Sequence, residues 1–423
     1  MKFLCALFLL SFSLFADVPE TLEVRLAVEE QLIPIYLTGA EKHPLFKVFA
    51  FDLKNNGTTT LAPKNAEREE LAAKKLTKAW NRQGVYYVVH FETEGDLVQA
   101  RLWDVEGRNE VRFGPVAADR AHVHELADAI HLKIAGAPGI ASTRILYTDK
   151  AGEGGDVWIV DYDGANARRL TNQNALCVTP HFIAPENGKI SSSYFYVCYK
   201  SGQPKVFLST LNGGNGDRVL ALRGNQLMPA LDRARRHLAL ISDASGNPDV
   251  FLVDFDAREG VVGKPRQVYA VPYATQATPT FSPDGKQLAF VSNKDGAPKI
   301  YVMDVPPEGL SAKEIKPRLL VKRSSASSAP CWSPDGTKIA YTSKVDGARQ
   351  IFVFNLQNGE NEQITAGPGD KENPTWAPNS LHLCYNQSSN KECNLFIINT
   401  RQKKPLQITF GSSEKKFPSW EAK

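Results

Sequence analysis

From about residue 143 onward, short apolar runs alternate with polar turns rich in Gly, Asn and Asp, and the runs repeat. Arg144-Ile-Leu-Tyr-Thr, Tyr196-Val-Cys-Tyr-Lys, Leu238-Ala-Leu-Ile-Ser, Leu288-Ala-Phe-Val-Ser, Ile339-Ala-Tyr-Thr-Ser and Leu381-His-Leu-Cys-Tyr occupy equivalent places. Each is followed by a second apolar, aromatic run, as in Val157-Trp-Ile-Val-Asp, Ile300-Tyr-Val-Met-Asp and Leu395-Phe-Ile-Ile-Asn. Such short runs, β-branched or aromatic and bounded by turns, predict strands rather than helices. The unit recurs roughly every 42–51 residues, the size of a four-stranded propeller blade.

The connection before the first apolar run carries the clearest signature. It reads Phe281-Ser-Pro-Asp-Gly-Lys, then Trp332-Ser-Pro-Asp-Gly-Thr, then the worn form Trp376-Ala-Pro-Asn-Ser-Leu. Proline presets φ and Asp-Gly supplies the positive φ of a tight reversal, so each copy predicts strand, turn, strand. Recurrence assigns Asp284 and Asp335 to turn chemistry rather than catalysis. The aromatic series Phe281, Trp332, Trp376 and Trp420 places one large side chain per blade as a wedge between sheets. Six units fit, which predicts a six-bladed β-propeller over 141–423. The first unit enters at its second strand, and Phe417-Pro-Ser-Trp420 is a first strand with no successor. The last strand is therefore expected to complete the first blade and close the ring.

Residues 17–140 lack the repeat and predict a small α+β domain. Strands are expected at Leu22–Val28, at Leu32–Leu37 with a break at Pro34, and at Phe46–Leu53. Ala72, Leu76, Ala79 and Trp80 are helically spaced within Ala66–Asn81. A meander follows over Val85–Glu92, Asp96–Trp103 and Asn109–Phe113. A second helix starts at the N-cap Asp119, keeps Val123, Leu126, Ala127, Ile130 and Ile134 on one face, and ends at Gly136. Residues 136–142 form the linker.

Residues 1–16 read as a secretory signal. Lys2 precedes an apolar run from Phe3 to Phe15, too short to anchor stably in a bilayer, with cleavage expected after Ala16. The net charge of +4 is spread over both signs, which does not favour nucleic-acid binding. Of the six cysteines, Cys177, Cys198, Cys331, Cys384 and Cys393 follow the signal. An odd number leaves at least one thiol free in an oxidising compartment. Cys384 and Cys393 flank a turn and are candidates to face each other across that hairpin. Cys198 and Cys384 equally suit small buried positions.

Catalytic patterns are sparse. No Gly-x-Ser-x-Gly occurs, and residues 17–140 are too short for a hydrolase domain. His382 and Cys384 share one side of a strand and are expected to pack together. His122, His124 and His131 lack a spaced carboxylate that would complete a zinc site, and the margin of the core is expected for them. Asp161-Tyr-Asp-Gly-Ala-Asn lacks the distant Glu of a calcium loop and is expected to be a turn. No metal, cofactor or catalytic residue is assigned.

With the leader, the α+β segment, the repeated Pro-x-(Phe/Trp)-Ser-Pro-Asp-Gly units and Lys416-Phe-Pro-Ser-Trp420, the whole chain resembles the TolB family of the Tol–Pal envelope system. Glu23-Val-Arg-Leu-Ala-Val and Ser142-Thr-Arg-Ile-Leu-Tyr resemble the family at corresponding places. The resemblance implies a non-enzymatic, monomeric periplasmic adaptor with a role in outer-membrane integrity and cell division. It implies Pal binding at a propeller mouth, with Asn225, Met228, Ala277 and Thr278 on the Pal-facing side. It also implies TolA binding through Glu23, Val24 and Arg25, and other outer-membrane proteins as further partners. In this sequence Pro229-Ala-Leu-Asp-Arg-Ala departs from the Ser-Pro-Asp-Gly form, and Thr278 stands where an acidic residue is usual. The alternatives are an exported propeller enzyme or a solute-binding propeller acting on a polysaccharide or peptide.

Overall fold

The computed structural model describes residues 32–74, 79–185, 190–256, 258–322, 325–389 and 392–423. The expected signal segment, the strand at Leu22–Val28 and the expected TolA-facing Glu23, Val24 and Arg25 lie outside these residues.

The front segment is a five-stranded sheet with helices against it. Strands β1 (Ile33–Gly39), β2 (Thr59–Leu61), β3 (Tyr87–Glu94), β4 (Leu97–Asp104) and β5 (Asn109–Ala117) are ordered β2-β1-β3-β4-β5. β1 pairs in parallel with β2 and β3, and β3-β4-β5 is the expected antiparallel meander. The helices are α1 (Pro44–Asn55), α2 (Ala66–Ala73), α3 (Ala79–Arg82) and α4 (Arg120–Ala135).

Three expectations change here. Phe46–Leu53 is not a strand but most of α1, with His43 capping the Leu45 N–H and Pro44 in the first turn. Phe49, Asp52 and Leu53 are its buried residues, a helical spacing that the aromatic composition masks. The single helix over Ala66–Asn81 is two short ones, α2 and α3. The strand expected to break at Pro34 runs through it, since its register with Thr59–Leu61 includes that residue. The second predicted helix is as read: Asp119 accepts the His122 N–H, and Gly136 terminates α4 at φ 67°.

From Arg144 the chain builds antiparallel sheets from consecutive strands. Four stand separately, spanning 177–218, 226–269, 276–319 and 327–363. The remaining strands form one composite sheet. Its first half is Asp370–Trp376, His382–Ser388, Cys393–Asn399 and Pro405–Gln407; its second is Glu414–Trp420, Arg144–Ala151, Gly154–Asp161 and Arg168–Arg169. The structure thus resolves four discrete blades where six were expected. The other two would-be blades are merged through one parallel pairing, Cys393 with Glu414.

The end-to-end closure is present. Glu414–Trp420 pairs antiparallel with Arg144–Ala151, with Trp420 opposite Ile145 and Glu414 opposite Lys150. Glu421, whose side chain is buried, accepts from the Arg144 backbone N–H at 3.1 Å and from its guanidinium at 2.9 and 2.5 Å. Hydroxyls link neighbouring inner strands at equivalent places: Ser419 accepts from the Phe182 N–H at 3.2 Å, and Thr375 from the Trp420 N–H at 3.2 Å.

The Ser-Pro-Asp-Gly units are turns. Ser282 Oγ donates to Asp284 at 2.6 Å and accepts the Gln287 N–H at 2.9 Å, with Gly285 at φ 72°. Ser333, Asp335 and Gly336 repeat the arrangement. Phe281, Trp332, Trp376 and Trp420 are buried. Trp332 packs between adjacent sheets, touching the cluster of Ala289, Val291, Ile339 and Tyr341.

Candidate docking face and the channel beneath it

The inner strand of every repeat carries a bulge at the residue before its proline. Thr179, Met228, Thr278, Ala329, Asn373 and Phe417 all lie at φ between 43° and 55°. In each strand the pairing register slips across this point. Proline lacks the ladder N–H and tolerates a bulge, while positive φ is unfavourable for a residue with a side chain. A strained, non-glycine residue held at one level in each repeat is therefore an imposed feature of the rim, and such bulges re-aim side chains.

This rim gathers the loops that precede the inner strands and those that follow the second strands. Tyr273, in the connection before Gln276–Phe281, is fully exposed at φ 63°. Phe410, before Glu414–Trp420, is 71% exposed. Tyr199 follows Cys198 on the same rim and is partly exposed. Nothing in the sequence pattern singled these three out; loop aromatics carry no periodicity, and only their exposure reveals them.

Met228, Ala277 and Thr278, expected on the Pal-facing side, sit together on this rim. The Thr278 N–H donates to Met228 Sδ at 3.1 Å, so two neighbouring bulges are in direct contact. Thr278 Oγ1 is buried without a partner. Asn225 is also there, but its side chain is committed: Asp243 accepts from its backbone N–H at 2.6 Å and from its side-chain amide at 2.7 Å.

Three residues down from the bulges, the inner strands line a half-open cavity of about 180 Å³. Its wall includes His181, Phe281, Cys331, Trp332, Trp376 and Trp420. The Cys331 thiol is pushed up to about 11 by burial, and the His181 imidazole is pushed down to about 4 by burial. A protonated thiol and a neutral, weakly basic imidazole are the reverse of an activated Cys–His pair. Lys423 lies at the far end, accepting from Arg233 at 2.7 Å through its carbonyl and donating from Nζ to Asp128 at 2.6 Å.

The front segment docks on that far side, against the composite sheet. One apolar cluster contains Ile35, Phe49, Val89 and Ile130 together with Ile145, Tyr162, Leu395 and Trp420. Gly57 lies against His382, where a Cβ would meet the ring at 2.5 Å. His382 is buried beside this contact and its pKa is pushed down to about 3, chiefly by burial.

A polar group is sealed in the same junction. Asp52 of α1 is 2.8 Å from His124 Nδ1, accepts the Tyr162 hydroxyl at 2.6 Å, and has its pKa raised to about 6 chiefly by burial. Burial acts against the charge on His124, but its hydrogen bond to Asp52 and the nearby carboxylates prevail, and its pKa is raised. Asp163, from the turn after Gly154–Asp161, lies 3.8 Å from His124 Nε2 and pairs with Arg120. Asp52, His124 and Asp163 are close enough to share a metal ion, yet Asp163 is already paired with the Arg120 guanidinium. The donor set fits a proton-sharing ionic latch better than a cation site. His124 and His131 are buried, as expected for the core margin. Sequence spacing could not reveal the carboxylates, which arrive from α1 and from the ring.

The cysteine expectation is corrected. Cys393 is opposite Ser388 and Cys384 opposite Ile397, so the two thiols do not face each other. Cys384 and His382 are both buried, as packed residues should be.

Comparison with known proteins agrees with this architecture. The family model for the TolB beta propeller domain matches residues 131–423. A TolB homolog of Protochlamydia amoebophila is 42% identical over 379 residues, covering 83% of this chain and 81% of that one. A TolB homolog of Chlamydia abortus is 44% identical over 262 residues, a match spanning 60% of each chain. The crystal structure of TolB from Acinetobacter baumannii superposes with a TM-score of 0.77 at 21% identity, covering 93% of this chain and 98% of that one. A repeat-built propeller, a closing strand and a docked α+β segment, matched by these relatives over most of their length, place the chain in the TolB family.

Proposed function

We propose that this chain is a non-enzymatic periplasmic adaptor of the Tol–Pal envelope system, binding Pal across the bulged rim and TolA through residues 17–29. In this reading 1–16 is the leader, 17–140 the α+β domain and 141–423 a propeller, with six blades when the two halves of the composite sheet are counted separately. The observation that carries it is the rim: strained residues at a fixed level, with Thr278 in contact with Met228 and the exposed Tyr273 in the connection that leads into Ala277 and Thr278. A rigid scaffold presenting aromatic loop residues is suited to gripping a protein partner. The role in envelope integrity and cell division follows from the family.

The enzyme alternative would place its chemistry in the channel, where the Cys331 and His181 shifts speak against it. Among the described residues no helix is long and apolar enough to cross a membrane. The test is capture of purified Pal by the mature chain at physiological salt. Binding that is lost on substituting Met228 and Tyr273 supports the reading; no capture above background overturns it.

A further inference from the structure

We infer that Cys177 and Cys198 form a cross-strand disulfide when the chain folds in the presence of a disulfide oxidant. Cys177 opens the inner strand Cys177–Phe182, and Cys198 closes the neighbouring strand Ser193–Cys198. They are direct register partners in the antiparallel ladder. Their sulfurs are 3.0 Å apart and both residues are fully buried.

The ladder decides which kind of pair this is. The Tyr199 N–H donates to the Leu176 carbonyl at 3.0 Å, so the hydrogen-bonded position falls on the next pair along. Cys177 and Cys198 therefore occupy a non-hydrogen-bonded position, where opposing Cα atoms are about 4.5 Å apart and Cβ atoms closest. That separation falls within the range of about 4.4–6.8 Å that a disulfide spans. No backbone movement is needed to join them.

The surroundings favour the bonded form. The pair lies in an apolar cluster with Leu146, Val157, Ile159, Tyr194 and Tyr196. A thiol is a weak hydrogen-bond donor, and joining the sulfurs removes two S–H groups from that setting. In the folded ladder the Cys198 thiol is pulled down to about 7 by the hydrogen bond from Cys177, with help from Lys200, while Cys177 is pushed up, so the two sulfurs already share one contact. Among the described residues, Cys331, Cys384 and Cys393 have no such sulfur partner.

The chemistry balances with a small or protein-borne disulfide as oxidant. The Cys198 thiolate attacks one sulfur of that disulfide, giving a mixed disulfide and releasing one thiolate. Cys177 then gives up its proton to solvent, and its sulfur attacks Cys198 Sγ, releasing the second thiolate. Two electrons pass to the oxidant, which becomes two thiols. Because the folded pair is sealed from solvent, the step belongs to folding, and the finished bond is shielded from reductants. The inference rests on strand geometry and not on the adaptor reading; export only supplies the oxidant.

The test uses the full mature chain in two preparations. One is exported with its leader; the other is made under reducing conditions, unfolded, and refolded in an oxidised and reduced glutathione mixture. Free thiols are blocked under denaturing conditions without reductant, and tryptic peptides are analysed by mass spectrometry. Cleavage after Lys189 separates the two cysteines, so a disulfide appears as peptide 170–189 joined to 190–200. The expected result is that joined species in both preparations, with Cys331, Cys384 and Cys393 blocked. Wild type unfolded and refolded with reductant present should melt at a lower temperature than the oxidised chain, while a Cys177→Ser, Cys198→Ser double variant should melt alike after either treatment. Blocked Cys177 and Cys198 in the refolded chain, or joining to another cysteine, overturns the inference.

Discussion

The sheets spanning 276–319 and 327–363 and the composite sheet are built from the same repeat, yet they are held in different ways. In the former, strands adjacent in sequence pair with one another, and each blade rests on neighbours of its own kind. The composite sheet joins residues 144–169 to 414–420 and carries the front segment on its flank. Its contacts bridge long sequence separations: Arg144 to Glu421, Trp420 to Thr143, Tyr162 to Asp52. Repetition suffices to build an arc, but closing it and fixing an attached segment takes specific, non-repeated polar contacts sealed in apolar surroundings.

Removing residues 414–423 strikes that difference hardest. It strips the inner strand from half of the composite sheet, exposes the edge of Arg144–Ala151, and deletes Glu421. The truncated chain should aggregate or lose its cooperative melting transition, as measured by calorimetry and size-exclusion chromatography. A soluble, cooperatively melting truncation would show that closure is dispensable.

Trp332→Ala comes next. It leaves a cavity between two sheets of the repetitive arc and should cost about 3–5 kcal/mol in urea-induced unfolding with the fold retained. A loss below about 1 kcal/mol would contradict the wedge role.

Acidification separates two buried histidines of the front-segment junction. The folded pKa of His382 lies near 3, below the ordinary unfolded value of about 6.5. The stability it contributes is present above that unfolded value and is lost as pH falls, by up to about 1.4 kcal/mol per pH unit. His124 is raised, so its contribution is fully present below the unfolded value and is lost as pH rises through the folded one. Between pH 7 and 5, His382→Gln should therefore reduce the loss of stability on acidification. Chemical denaturation at both pH values checks the sign.

The smallest expected effect on stability is at the rim. Tyr273→Ala removes a fully exposed side chain and should change stability by less than about 0.5 kcal/mol. Pal affinity, read by titration calorimetry, should weaken by about tenfold or more if Tyr273 anchors the partner. Unchanged affinity would move the docking site away from this part of the rim.

Much of the ring was legible because it is written repeatedly. Phe281-Ser-Pro-Asp-Gly and its copies combine local turn chemistry with strand patterning, and both act over a few neighbouring residues. Lys416-Phe-Pro-Ser-Trp420 announced a strand in want of a sheet, and the closure onto Arg144–Ala151 answers it. The end of α4 at Gly136 was likewise a local matter of capping. Phe46–Leu53 misled because its aromatic content suits a strand, whereas the register of Phe49 and Leu53 against the front sheet makes it a helix.

Local rules set the repeats, the turns and the phase of the ring. Folding in three dimensions selected what those rules leave open: the single pairing at Cys393 that merges two blades, the Asp52–His124–Asp163 latch, the facing of Cys177 with Cys198, and the exposed Tyr273. Each depends on groups far apart in the chain meeting at a defined register. Such meetings are chosen by packing and by the cost of leaving polar groups buried without partners, and no short window of sequence encodes them.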